Sequence, residues 1–171
     1  VIRQTKRVFP YQPGKSLLAL MTFVMAPTQT NLRQRVGYFG ANDGLYLEQN
    51  DTDVRFVLRK STSGSVDDTE YVTQANWNVD KFDGTGPSGI TLDLTKAQIL
   101  FFDIEWLGVG DVRCGFYSQG KPVIAHIFQN ENVKDKVYMK TAILPVRYEI
   151  TATGALSSGA TLRQICSTVA S

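Results

Sequence analysis

Apolar and polar residues alternate with a period of two through most of this chain, and the alternation is longest and least broken from Gln98 to Phe128. Gln98 to Trp106 is an apolar run carrying two charges, Asp103 and Glu105, spaced two apart. A pleated strand puts both on one face and turns Ile104 and Trp106 the other way. Leu107 to Gly110 supplies two glycines for a turn. Asp111 to Ser118 then sets Val112, Cys114 and Phe116 against Arg113, Gly115 and Tyr117, which predicts the first set as the core face. Gln119-Gly120 reads as a two-residue hairpin connection, and Lys121 to Phe128 completes a meander.

Elsewhere the same period recurs in shorter pieces. Arg3 to Lys15 holds Pro10, Pro13 and Gly14, which forbid regular structure and predict an extended arm. Leu17 to Met25 reads as a buried strand, apolar on both faces, and Asn31 to Arg35 as a polar connection. Val36 to Phe39, Leu45 to Gln49 and Val54 to Arg59 are strands joined by runs of turn formers. Lys60 to Thr69 and Asp83 to Gly89 predict two long exposed loops, where binding residues concentrate. Val146 to Thr151 is one more alternating strand, and Thr153 to Ala160 is a Gly/Ser linker. In Thr161 to Val169, the spacing of Leu162, Ile165 and Val169 predicts a short helix or an arm that packs elsewhere.

Many short strands with turn signals every ten or so residues predict an all-β antiparallel sandwich. The expected division is an N-terminal arm over 1–16, a sandwich over 17–154 and a C-terminal linker and arm over 155–171, the arms being held by neighbouring chains. At 171 residues the chain can bury a core without staples, and Cys114 and Cys166 are expected as free thiols. Val1 is not an initiator methionine, so the chain is expected to be a processed product or a segment of something longer. With 18 basic against 16 acidic residues and no block of like charge, the composition argues against nucleic-acid or membrane-surface binding. The longest apolar run, Leu17 to Ala26, is too short to span a membrane as a helix.

Residues 103 to 108, DIEWLG, resemble the strand signature of family-16 glycoside hydrolases, Glu-x-Asp-x-Glu, which implies a concanavalin-like jelly roll. In that family the first Glu is the nucleophile, the Asp assists and the last Glu is the acid/base. The position of the nucleophile is Phe101 here, so the pair of carboxylates that a retaining mechanism needs is incomplete, and no enzymatic activity or catalytic residue is expected. His126 is the sole histidine, which offers no metal cluster, and no cofactor is expected. The candidate ligand-binding residues are Asp103, Glu105, Arg113, His126 and Trp77, the two carboxylates sharing a sheet face with Arg113 or His126. Trp77, with Trp106 and Tyr46, is read both as a sugar-stacking platform and as core.

A second resemblance covers most of the chain. The blocks QTKRVFPYQPGKSLL, RVGYFGANDGLYLEQN, WNVDKFDGTGPSG, DIEWLGVGDVRCGF and LPVRYEI, ending in TLRQICS, are similar to a domain of structural proteins of tailed marine bacteriophages and of large DNA viruses of algae and protists. The resemblance implies a virion component in capsid, vertex or fibre. Its partners would be other virion proteins, in a homo- or hetero-oligomeric setting. The alternative is a carbohydrate-binding attachment module of a fibre or spike, with a glycan as partner.

Overall fold

The computed structural model describes residues 1–171 and contains thirteen strands: β1 (Ile2–Gln4), β2 (Phe9–Pro10), β3 (Leu17–Val24), β4 (Leu32–Phe39), β5 (Gly44–Asn50), β6 (Asp53–Lys60), β7 (Asp67–Thr73), β8 (Gln98–Ile104), β9 (Val112–Ser118), β10 (Lys121–Phe128), β11 (Ile143–Leu144), β12 (Val146–Ala152) and β13 (Arg163–Ala170). They form a six-stranded sheet, β1-β12-β4-β5-β6-β7, a five-stranded sheet, β10-β9-β8-β3-β13, and the small pair β11-β2. Every pairing is antiparallel. The protein is an all-β sandwich of the jelly-roll kind.

The inner faces follow from the two-residue period. Val112, Cys114 and Phe116 of β9 join Leu100, Phe102 and Ile104 of β8 and Val36, Leu47 and Phe56 of the other sheet in one core of 28 buried residues. Phe56, Trp77, Phe82 and Phe116 form its aromatic centre, with Trp77 stacked on Phe56 at 4.7 Å. The segment between β10 and β11 closes one end, where the Tyr138 N–H donates to the Gly108 carbonyl and the Tyr138 side chain is buried in the core.

Four sequence expectations change. Leu17–Val24 is not buried on both faces: Leu17, Ala19, Met21 and Phe23 are core, while Leu18, Leu20, Thr22 and Val24 are half-exposed. The polar connection at Asn31 to Arg35 is mostly strand, because Gln34 turns inward and exchanges hydrogen bonds with the backbone of Ala26. The loop expected over 60–69 ends at Asp67, where β7 begins; Arg59 and Lys60 on β6 pair with Asp68, Asp67 and Glu70 and hold that polar stretch in the sheet. The helical spacing in 161–169 produces no helix. Arg163–Ala170 is extended and pairs with β3. Both terminal segments are thus extended but lie on their own domain, β1 on β12 and β13 on β3, so the sandwich continues past residue 154.

The outer face of the six-stranded sheet is closed by its own side chains. Register places Glu149, Arg35, Glu48 and Arg55 in one row across β12, β4, β5 and β6. The row is a continuous ion-pair ladder: Arg35 Nη1 lies 3.7 Å from Glu149, and Arg35 Nε and Arg55 Nε donate to opposite oxygens of Glu48 at 2.6 Å each. The next row along contains Gly37 opposite Tyr46. A Cβ at Gly37 would collide with the Cα and Cβ of Tyr46 and with the Leu45 carbonyl, so the close approach of the two strands there requires glycine. Arg35 and Arg59 cover the Tyr46 ring at 5.0 and 5.4 Å, and Arg147 covers Phe39 at 5.2 Å. Tyr46 and Phe39 are therefore fully buried on a face that has no second sheet over it.

Replacing Glu48 by Leu leaves two guanidinium groups without their shared acceptor, and the unfolding free energy should drop by about 3–5 kcal/mol. The half-exposed pair between Asp103 and Arg113 is a fair comparison, since Asp103→Asn should cost under about 1 kcal/mol. Urea midpoints of the two variants check this, and similar losses would mean that the ladder has no special weight.

Candidate functional site

The outer face of the five-stranded sheet is built differently. Across it, register aligns Arg113, Asp103 and Leu18 in one row and Ile124, Gly115, Phe101 and Leu20 in the next. Gly115 again faces an aromatic residue: a Cβ there would strike the Phe101 ring and the Val123 carbonyl. Phe101 consequently folds down over the glycine and is buried, although it belongs to the outward set of β8. No arginine layer covers it. What remains is a groove of about 310 Å³ whose floor is Phe101 and whose walls include Leu18, Tyr117, Pro122 and Ile124. The Tyr117 ring meets Phe101 edge-on at 5.7 Å and stays half-exposed.

The polar end of this groove is Asp103 with Arg113, and Glu105, which does not line it, pairs with the same arginine. Arg113 Nη1 donates to Asp103 Oδ2 at 2.9 Å and to Glu105 Oε1 at 3.0 Å. Hydrogen bonding to Asp103 first, and then to Glu105, raises the Arg113 pKa further above its usual value. One oxygen of each carboxylate is thereby occupied, leaving Asp103 Oδ1 and Glu105 Oε2 as acceptors and the remaining guanidinium N–H groups as donors. A small apolar floor with a few convergent donors and acceptors at one end is the usual chemistry of a small-ligand site. Two clefts of about 440 Å³ each lie at the sandwich ends, one beside Asp53 and Asp83 and the other beside Asp43 and Lys140, and no aromatic side chain lines either.

Of the five sequence candidates, Asp103 and Arg113 line the groove, Glu105 joins them only through its ion pair with Arg113, and His126 and Trp77 lie elsewhere. Trp77 is core, 2% exposed. Tyr46 lies under arginines on the opposite outer face, and Trp106 packs edge-on against Tyr11 at 5.8 Å, so the three aromatic residues form no platform. His126 points inward from β10, where a bulge falls between Ile124 and His126. Its Nδ1 accepts the Asn78 amide at 3.3 Å and its ring stands on Phe128 at 4.7 Å. The groove residues that sequence reasoning passed over are Ser16, Leu18, Phe101, Tyr117, Pro122 and Ile124. The signal was present in the doubly apolar run at Leu17 and in Gly115, which breaks the outward set of β9.

No family model matches the chain, and no curated protein matches it. Solved structures similar to it include the receptor-binding domain of botulinum neurotoxin D, at 10% identity and a TM-score of 0.48, covering 99% of this chain and 43% of that one. The crystal structure of HCR/D-Sa-GBL1/C is similar at 12% identity and a TM-score of 0.48, covering 91% of this chain and 32% of that one. The serotype D ligand-binding domain in complex with N-acetylneuraminic acid gives 9% identity and a TM-score of 0.44, with 99% and 42% covered. The chain spans less than half the length of each of these. With TM-scores below 0.5, the likeness bears on neither function nor ligand.

Burial lowers the His126 pKa from 6.5 to about 4, so the folded protein keeps it neutral while the unfolded chain protonates it. The unfolded state then binds more protons between these two values, and the stability due to this site, complete above pH 6.5, is lost as pH falls toward 4. Urea unfolding at pH 7 and at pH 5 should show that loss, and His126→Gln should flatten it. A parent protein equally stable at both values would contradict the buried neutral state.

Proposed function

We propose that the chain is a non-catalytic attachment module of a virus particle that takes a saccharide in the groove on its five-stranded sheet. The single observation that carries the saccharide reading is the pairing of the Tyr117 and Phe101 rings with Asp103 and Arg113 around one cavity. A sugar ring has an apolar face of C–H groups that packs on an aromatic surface, and a rim of hydroxyls that both donate and accept. Tyr117 supplies the surface, and Arg113 and Asp103 supply a donor and an acceptor beside it. The particle setting rests on the resemblance of the sequence blocks to virion proteins.

Hydrolysis has less support. Phe101 occupies the position at which the similar glycosidase strand carries its nucleophile, and it is 3% exposed beneath the groove. Asp103 and Glu105 are both tied to the same guanidinium. A second reading, a protein neighbour within the particle, is favoured by the half-exposed apolar residues Leu18, Leu20 and Ile124 on this face.

A glycan-array screen of the purified chain, followed by titration of the best binder, separates these readings. The expectation is specific binding that weakens at least tenfold, or about 1.4 kcal/mol, in Tyr117→Ala and in Arg113→Gln. Both positions are half-exposed, so the fold should persist. Silence across the array would overturn the saccharide reading and leave the protein neighbour. Binding unchanged in both variants would remove the groove from the account.

A further inference from the structure

The polar end of the groove carries more negative than positive charge. Asp103 and Arg113 line it. Glu105 stands outside, with its Oε1 3.0 Å from the same Arg113 Nη1 that donates to Asp103 Oδ2 at 2.9 Å. Two carboxylates thus share one guanidinium, and at neutral pH a negative charge is left over. The other lining residues, Ser16, Leu18, Phe101, Tyr117, Pro122 and Ile124, are uncharged. Lys15 and Lys121 adjoin Ser16 and Pro122 along the chain, but both are exposed and neither lines the groove.

Resting on the saccharide reading above, we propose that the groove takes sugars bearing no acidic group, and that Glu105 sets this preference. A ligand carboxylate or sulfate that reaches Arg113 meets a cation whose charge two anions already offset. An uncharged hydroxyl meets no such repulsion, because it can donate to the free Asp103 oxygen and accept from a guanidinium N–H.

Discrimination of this kind comes from a repulsive element set against the wrong partner, with no new contact to the right one. Glu105 is that element. It does not line the groove, yet its carboxylate touches Arg113, well inside the ~8 Å over which charges act at physiological ionic strength. Without its charge, Asp103 and Arg113 would offset one another and the groove's end would be neutral.

Glu105→Gln tests the assignment, since glutamine keeps an acceptor for Arg113 and removes only the charge. Glu105 is exposed, so the variant should fold, which circular dichroism checks. The probes are the best neutral binder from the glycan array, the same glycan with one hydroxymethyl group oxidised to a carboxylate, and the methyl ester of that carboxylate, which removes the charge and adds only a methyl group. In the parent protein the ester should bind at least about tenfold tighter than the carboxylate, and the gap should narrow as salt is raised. In Glu105→Gln the gap should shrink at least about threefold, while the neutral glycan binds within about twofold of the parent. If neither derivative binds, the array decides: Glu105→Gln should gain acidic glycans that the parent rejects. Equal affinity for ester and carboxylate, a gap that Glu105→Gln leaves unchanged, or no acidic glycan gained would each overturn the preference, with the neutral binder still supporting the saccharide reading. A chain that binds no glycan of either kind loses that reading, and this inference with it.

Discussion

Glu48 accepts two arginines at once, and the outer surface of the six-stranded sheet depends on that arrangement. It sits in the middle of a row running Glu149, Arg35, Glu48, Arg55 across four strands, so each interior charge has an opposite neighbour on both sides. A charge taken out of water is tolerated only when its partners are in place. Because they are, Arg35 and Arg59 can lie flat over Tyr46, and Arg59 and Arg147 over Phe39, sealing an apolar patch that has no other lid. This face is therefore finished: the groups that could meet a ligand are already spent on one another.

That closure gives the opposite sheet its significance. Both sheets use the same local device, a glycine directly across from an outward aromatic residue, Gly37 with Tyr46 and Gly115 with Phe101. On the first sheet the ring is roofed by guanidinium groups. On the second the only arginine in reach, Arg113, is drawn to one side by Asp103 and Glu105, and the ring becomes the floor of an open groove. The triad is thus structural and chemical together: it keeps Arg113 off Phe101 and presents unused donors and acceptors at the groove's end.

How much of this was legible in the sequence depended on the range of the interaction involved. The core face of β9 follows from neighbours two residues apart, and Val112, Cys114 and Phe116 lie where the alternation puts them. The grouping of Arg113 with Asp103 and Glu105 needed one register, between the sequence-adjacent strands β8 and β9. The ladder needed four strands in register, including Glu149 from the far end of the chain, and no local pattern announces it. β13 shows the same limit, because Leu162, Ile165 and Val169 have helical spacing, whereas the vacant side of β3 decided for a strand. Trp77 was ambiguous because loop aromatics face either way, and the space beside Phe56 took it inward.

One outer face is closed by its own charges and the other holds an open groove, the place proposed for a ligand. This division is tested most directly by titrating the isotopically labelled protein with an array-positive saccharide and following backbone amide resonances. The account predicts that shifts cluster at Leu18, Phe101, Arg113 and Tyr117 and spare Arg35, Tyr46 and Arg59. Shifts gathered on the arginine-covered face, or at the sandwich ends around Asp83 or Lys140, would contradict it.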